Sequence, residues 1–411
     1  MKGTVTFFNG HGCPKHMSVN VKGDRPLHSL TIGLVAGESS GDNLGAALMA
    51  AIGERAPGTR FVGVAGPRMR AAGCEALAHA EELSVMGLFE VLHHLPRLLA
   101  VRSRIRSAML ERRPDVFVGI DAPEFNLGLA PALHAAGLRT VQYVSPQVWA
   151  WRRGRAARMA RFLDLVLCLL PFERSVYDAA GLRSIFVGHP LADQLPIEPD
   201  ASAARRALGL PDPAPIVAVL PGSRMGEVSR LAADFAGTVA WLADRRPGLT
   251  FIAALAGEAT RATFEAALAR HAPAVRVQAF TGESQAVLTA SDVALVASGT
   301  ATLETLLCKR PMVVAYRLGA LTAFALRHLG LLKAPFFAQP NLLAGRRVVP
   351  ELSQGDVRPE RLGREIERWL DEPDAVAELA ALFTTLHRQL RQGASERAAE
   401  AVLALAREAG P

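Results

Sequence analysis

The sequence predicts an α/β fold built from two parallel-sheet halves that face a central cleft. Three observations lead there. From about residue 30, short apolar runs alternate with helical stretches, which is the pattern of strand–helix–strand units with right-handed crossovers. A proline-rich stretch from Pro190 to Pro215 divides the series in two. Three of the apolar runs end in glycine loops that open helices, and in such sheets ligands bind outside the carboxyl ends of the strands.

Taken in order, residues 1–28 are polar, carry Gly and Pro, and lack periodicity; they read as a disordered extension, with Met17 as an alternative start. The first series of strands is expected at Leu30–Val35, Arg60–Val64, Val116–Ile120, Arg139–Tyr143, Leu165–Leu169 and Ser184–Val187. The prolines at 190, 196, 199, 211, 213 and 215 mark a linker over 191–215. A second series follows at Ile216–Leu220, Thr250–Ala254, Val275–Ala279, Val293–Val296 and Met312–Ala315. Beyond about 374 the chain is rich in Ala, Leu, Glu and Arg and reads as helical. The halves are therefore 29–190 and 216–374, a double Rossmann-like arrangement.

Composition narrows the class. A chain of 411 residues has room for two or three domains. Half of it is hydrophobic and the mean hydropathy is +0.19, yet no apolar run reaches the ~18 residues that a spanning helix needs. A soluble or membrane-surface protein is expected. The four cysteines, Cys13, Cys74, Cys168 and Cys308, lack metal-type spacing, and Cys168 and Cys308, in apolar surroundings, read as reduced core residues, which favours the cytoplasm. The N-terminus lacks the pattern of a signal peptide. Net charge is +7, and arginines cluster at 97, 102, 104, 106, 112 and 113 and again at 152, 153, 155, 158 and 161. Such clusters suit phosphate-bearing partners or simply decorate solvated helix faces. They alternate with Leu and Val and sit in no recognised nucleic-acid module, which argues against a nucleic-acid binder.

The chemistry concentrates at strand ends. In LVASGTATLE, Ser298, Gly299, Thr300 and Ala301 open a helix whose free N–H groups can bind an anion, and Glu304 follows where a carboxylate can accept from ribose hydroxyls. In VAVLPGSRMGE, Gly222 and Ser223 precede Arg224, whose guanidinium suits a diphosphate, with Glu227 after it. In IGLVAGESSGDNLGA, Gly37, Glu38, Ser40, Gly41 and Asp42 form a third loop; its carboxylates repel phosphate, so it is expected to face hydroxyls or a sugar. It is neither a GxxxxGK[ST] nor a GxGxxG loop. Asp121 ends a buried strand in VFVGIDAPEFN and is either a base aimed at the cleft or a turn cap. YVSPQVWAW offers Ser145, Gln147 and two Trp, which line a ligand or fill core. His189 follows a strand and is more often structural than catalytic. In 85–110, Met86, Leu88, Phe89, Val91, Leu92, Leu95, Leu98 and Leu99 interleave with Arg residues such as Arg102, and Pro96 is expected to start a second helix. This stretch, and Arg317–Phe337, suit either a membrane interface or a core-facing helix pair.

Taken together, GESSGD, GIDAPEFN, YVSPQVWAWR, LPFE, GHPLAD, LPGSR, ASGTATLE and PNLLAG resemble the lipid-A-disaccharide synthase family, in order and at family-like spacing from Leu30 to the C-terminus. The resemblance implies a GT-B fold with the 375–411 helices packed back on the N-terminal half. It implies an inverting glycosyltransferase that joins UDP-2,3-diacylglucosamine to 2,3-diacylglucosamine 1-phosphate (lipid X), giving a β-1,6-linked disaccharide 1-phosphate and UDP. It implies no cofactor and no metal, and a peripheral place on the inner face of the cytoplasmic membrane of a Gram-negative-type bacterium. A homodimer is compatible with the helical tail. Asp121 matches the general base, Arg224 the diphosphate ligand, Ser298–Ala301 the phosphate-binding helix start, Glu304 the ribose ligand and Asn341 a residue near the phosphates. Gly37–Asp42, with Asn126, Ser145 and Gln147, line the acceptor side. Met225 after PGSR and Gln339 before PNLLAG depart from the family pattern. The competing readings are a UDP-N-acetylglucosamine 2-epimerase-like enzyme and a catalytically silent nucleotide-binding membrane scaffold.

Overall fold

The computed structural model describes residues 30–83, 88–146, 148, 153–211, 214–319 and 336–408, and in 88–95 and at 153 the backbone alone. The expectations for residues 1–28, Met86, Gln147, the Trp149–Trp151 pair and most of Arg317–Phe337 therefore lie outside the described residues, as do the side chains from Leu88 to Leu95.

The strands form two parallel sheets. The first has the order β3-β2-β1-β4-β5-β6-β7, from β1 (Thr31–Ala36), β2 (Arg60–Ala65), β3 (Glu75–His79), β4 (Val116–Ile120), β5 (Arg139–Tyr143), β6 (Leu165–Cys168) and β7 (Ser184–Phe186). The second has the order β10-β9-β8-β11-β12-β13, from β8 (Ile216–Leu220), β9 (Thr250–Leu255), β10 (Val277–Thr281), β11 (Val293–Ala297), β12 (Met312–Tyr316) and β13 (Glu351–Ser353). Strand order reverses direction between β1 and β4 and between β8 and β11, so each sheet has a crevice where a ligand can enter.

The helices in chain order are α1 (Ser39–Arg55), α2 (Pro67–Ala71), α3 (Leu88–Arg112), α4 (Pro123–Ala135), α5 (Arg153–Met159), α6 (Arg174–Asp178), α7 (Pro190–Gln194), α8 (Ala201–Ala207), α9 (Met225–Arg245), α10 (Glu258–His271), α11 (Ser284–Ala290), α12 (Thr300–Leu307), α13 (Gln339–Ala344), α14 (Pro359–Asp371), α15 (Pro373–Leu390) and α16 (Ala394–Glu408). Central strands such as VFVGI and VALVA are buried along their whole length because helices cover both faces. On one face of the first sheet, Ile32, Leu34, Val118 and Ile120 pack with Leu48 and Ile52 of α1 and with Val402 and Leu405 of α16. On the other, Val35, Val64 and Phe117 pack with Val101, Ile105 and Met109 of α3 and with Leu129 and Leu133 of α4.

Several local expectations change. The chain returns to the first half later than 375: Leu379, Phe383 and Leu386 of α15 sit in the core of the second half, and only α16 packs on the first. The turn between them is held by Asp193, whose carboxylate accepts from the N–H groups of Gly393 and Ala394 at 2.9 and 2.7 Å. The proline-rich segment is not bare linker but carries α7 and α8. Pro96 lies inside one continuous α3 rather than starting a second helix. Its ring removes a hydrogen bond at a cost of about 3 kcal/mol, and the buried stripe Val101–Ile105–Met109 anchors the helix beyond it. Two strands, β3 and β13, were not expected; both are short sheet edges without a continuous run of buried apolar residues. Cys74, Cys168 and Cys308 are buried and unpaired.

Candidate functional site

Two loops of the first half and two of the second follow the carboxyl ends of strands, and Arg224 of the second half approaches Glu38 of the first. In the first half, β4 ends at Ile120, and Asp121 and Ala122 turn the chain into α4. Both residues have left-handed backbone, with φ +52° and +39°. For residues with a Cβ this costs on the order of 1–3 kcal/mol each, and such strain persists only where the surroundings impose it. The Asp121 carboxylate is half-buried, and Ser40 at the start of α1 donates its hydroxyl to Asp121 Oδ2 at 3.0 Å. Glu38 stands at the N-cap of α1, exposed. Gly37 and Gly41 lie against the Asp121 turn, where a Cβ on Gly37 would meet the Ala122 Cβ at 2.8 Å.

In the second half, Arg224 caps α9. Glu227 accepts from the backbone N–H groups of Ser223 and Arg224 at 3.2 and 3.4 Å, so its carboxylate organises this helix start. Gly222, at φ +129°, is required: a Cβ there would lie 2.7 Å from the Glu227 Cβ. The Arg224 guanidinium projects to solvent and reaches Glu38 of the first half at 3.8 Å. Met225 is 42% exposed beside it.

The second loop of that half leads from β11 into α12. Ser298 donates to the Phe337 carbonyl at 3.1 Å, Gly299 has φ +151°, and Thr300 and Ala301 open the helix. Thr302 bridges this turn to Gln339, accepting from its N–H at 3.2 Å. One turn on, Glu304 accepts from the Ser284 hydroxyl at 2.8 Å. Burial pushes the Glu304 carboxyl above its usual range, and the Ser284 bond opposes that.

Four residues expected at substrate hold the scaffold instead. Asp42 is buried and both its oxygens are taken, by the N–H groups of Arg68 and Met69 at 2.8 and 3.0 Å, so it caps α2. Asn126 is buried and donates to the Asp121 carbonyl at 2.8 Å. Ser145 is buried and shares a 2.7 Å hydrogen bond with Tyr177. Asn341 is fully buried, and its amide is spent on Val348, Val349 and Glu351 at 2.7–3.0 Å rather than on a phosphate. Glu351 in turn accepts from the N–H groups of Phe337 and Ala338, which fixes the segment beside Ser298. His189 accepts from the Leu191 N–H at 3.2 Å and so caps α7. Of the apolar positions on α3, Leu99 is 44% exposed, while Arg102 folds over Gly128 of α4. Gln142, Tyr177, Ser284 and Glu351 were missed; their types carry no signal until the fold supplies partners far along the chain.

A family model described as lipid-A-disaccharide synthetase matches residues 32–405. A curated lipid-A-disaccharide synthase of Sodalis glossinidius is 50% identical over 92% of this chain and 98% of its own length. The chain belongs to the lipid-A-disaccharide synthase family. Members from Alkalilimnicola ehrlichii, 50% identical over 92% of this chain and 99% of theirs, and Serratia proteamaculans, 48% over 93% and 99%, agree. Like them, this family member is a glycosyltransferase of lipid A biosynthesis. Its fold is GT-B: the calicheamicin glycosyltransferase CalG4 superposes with TM-score 0.56 at 17% identity, covering 94% of this chain and all of that one. A UDP-GlcNAc 2-epimerase from Neisseria meningitidis bound to UDP-GlcNAc superposes with TM-score 0.59 at 11% identity, covering 91% and 98%. At that identity the likeness is one of fold, and the epimerase and silent-scaffold readings are not favoured.

Proposed function

We propose that the chain transfers the 2,3-diacylglucosamine unit of its UDP derivative to the 6-hydroxyl of 2,3-diacylglucosamine 1-phosphate, with inversion, releasing UDP. Asp121 takes the proton from the acceptor hydroxyl as its oxygen attacks the anomeric carbon. The bond to the diphosphate breaks on the opposite face, which gives the β-1,6 linkage. Arg224 and the N–H groups opening α12 receive the charge that grows on the leaving UDP, and Glu304 holds the ribose. Charge is balanced here by a guanidinium and backbone dipoles, without a divalent ion. The observation that supports this reading is the Arg224–Glu38 approach of 3.8 Å between the two halves, Glu38 lying two residues before the Ser40 that bonds Asp121.

The acyl chains and the membrane surface are assigned to the outer side of α3, where Leu99 and the arginines around it face solvent, and the protein works peripherally on the inner face of the cytoplasmic membrane. No helix among the described residues is long and apolar enough to cross a membrane.

The test is a radiolabelled assay with UDP-2,3-diacylglucosamine and lipid X in detergent containing EDTA. Wild type should form disaccharide, and Asp121→Ala should lose on the order of 10²–10⁴-fold in rate while binding UDP normally. Equal loss of rate and UDP binding would make Asp121 structural, and a rate abolished by EDTA would overturn the metal-free reading.

A further inference from the structure

We propose that Gln142 and Asn126 are positioning residues for Asp121, two buried carboxamides that grip its carbonyl oxygen and hold the strained turn that aims its carboxylate into the cleft. The proposal rests on the reading of Asp121 as general base.

The two amides converge on one atom. Gln142 Nε2 lies 3.1 Å from the Asp121 carbonyl oxygen and Asn126 Nδ2 lies 2.8 Å from it. The Asp121 N–H donates to the Tyr143 carbonyl at 2.9 Å, so the residue is pinned on both sides. Gln142 sits inside β5, 1% exposed, where a strand covered on both faces calls for an apolar residue. Its amide also lies 3.3 and 3.2 Å from the carbonyls of Tyr143 and Val144. Val144 is a β-branched residue at φ +74°, a genuine outlier. Gln142 thus ties together two strained turns, the one that carries Asp121 and the one that leads to Ser145.

Asn126 makes the same point by what it gives up. It is 1% exposed, and its Oδ1 has no partner among the described residues. An unpaired buried acceptor is a cost that an aliphatic side chain would avoid, so the NH₂ group is what the position uses. Gly119 makes room for it: a Cβ there would lie 2.7 Å from the Asn126 Cβ. Loss of either amide lets Asp121 and Ala122 relax out of the left-handed region, and the carboxylate swings away from Ser40. A displacement of about 1 Å at a catalytic group can cost about 100-fold in rate.

The experiment measures kcat, KM for donor and acceptor, and UDP affinity for Gln142→Met, which keeps length and loses both donors, for Gln142→Leu, which loses them with a second apolar shape, and for Asp121→Asn. Both Gln142 variants should lose about 100-fold in kcat, with UDP affinity and donor KM within about twofold of wild type. Adding Ala122→Gly to Gln142→Met should recover about fivefold or more of kcat, because glycine adopts the left-handed conformation without steric cost. A Gln142→Met enzyme within about threefold of wild type in kcat overturns the proposal. So does a loss that Ala122→Gly leaves untouched. Should Gln142→Met not fold, Asn126→Ala with and without Ala122→Gly carries the same expectations and the same refutation. Activity retained in Asp121→Asn would sink the general-base reading instead, whatever the Gln142 variants do.

Discussion

Ser40 and Asp121 meet at 3.0 Å, the serine hydroxyl from the start of α1 donating to a carboxylate oxygen at the end of β4. The bond selects one orientation of the carboxylate. Ser40 neither takes the proton nor touches the diphosphate in the proposed mechanism. Ser40→Ala should therefore lower kcat by about tenfold, the worth of one hydrogen bond to a charged group, far less than Asp121→Ala, with donor KM unchanged. Steady-state kinetics checks this; a loss as large as that of Asp121→Ala would make Ser40 part of the proton transfer.

Arg224 spends its free state near Glu38. Both side chains are exposed, at 65% and 53%, so the pair is worth about 0–1 kcal/mol and yields readily to a diphosphate. Arg224→Ala should weaken UDP binding by about 10–100-fold, since a charge-assisted bond contributes about 1.5–3 kcal/mol. Glu38→Gln should tighten it, by no more than about fivefold, and the gain should fade at high salt. Calorimetric titration with UDP reads both. Weaker binding in Glu38→Gln would mean that the carboxylate helps hold the nucleotide.

The strands were legible because full burial writes itself as continuous apolar runs: VFVGI and VALVA admit few other readings. The edges β3 and β13 were not, since EALAH and ELS are short and offer no continuous buried apolar run. The strand-end turns were legible where the motif is intact, as around Asp121, Arg224 and Glu304, and the roles proposed for these side chains are what the assays test. The partners of Asp42 and Asn341 were not, since their types announce hydrogen bonding without naming the partner. Gln142 shows why: its partner lies 21 residues away on another strand end, and only the β4–β5 pairing brings the two together.

Glu304 should give UDP binding an acid limb. Burial raises its carboxyl and Ser284 partly offsets that. A carboxylate that accepts from ribose hydroxyls must be ionised, so affinity should be full well above the raised value and fall as pH drops through it. Ser284→Ala removes the opposing bond and should move that limb to higher pH. Glu304→Gln should weaken binding at pH near 8 and abolish the limb. Titrations of UDP across the mildly acidic range decide the matter: a limb that survives in Glu304→Gln belongs to another group.

Acid stability should be set in part by His189. Its Nδ1 accepts from the Leu191 N–H, so the ring is neutral with its proton on Nε2, and burial pushes its pKa down to about 4. In the unfolded chain the ring titrates near 6.5. Between those values the unfolded state binds the proton and the folded state does not, so stability falls as pH drops from about 6.5 toward about 4 and is complete above 6.5. The consequence is local as well as global. The backbone N–H of His189 donates to the Leu390 carbonyl at 2.9 Å, beside the Asp193 contacts that start α16, so a ring that protonates and gives up Leu191 loosens the place where the chain returns to the first half. Buried His387, whose Nδ1 lies 2.5 Å from Lys309 Nζ, is shifted in the same direction and adds to the limb. His189→Asn keeps an acceptor for Leu191 and removes the titration. Its urea midpoint should fall less than that of wild type between pH 7 and 4.5, and parallel curves would assign the acid sensitivity elsewhere.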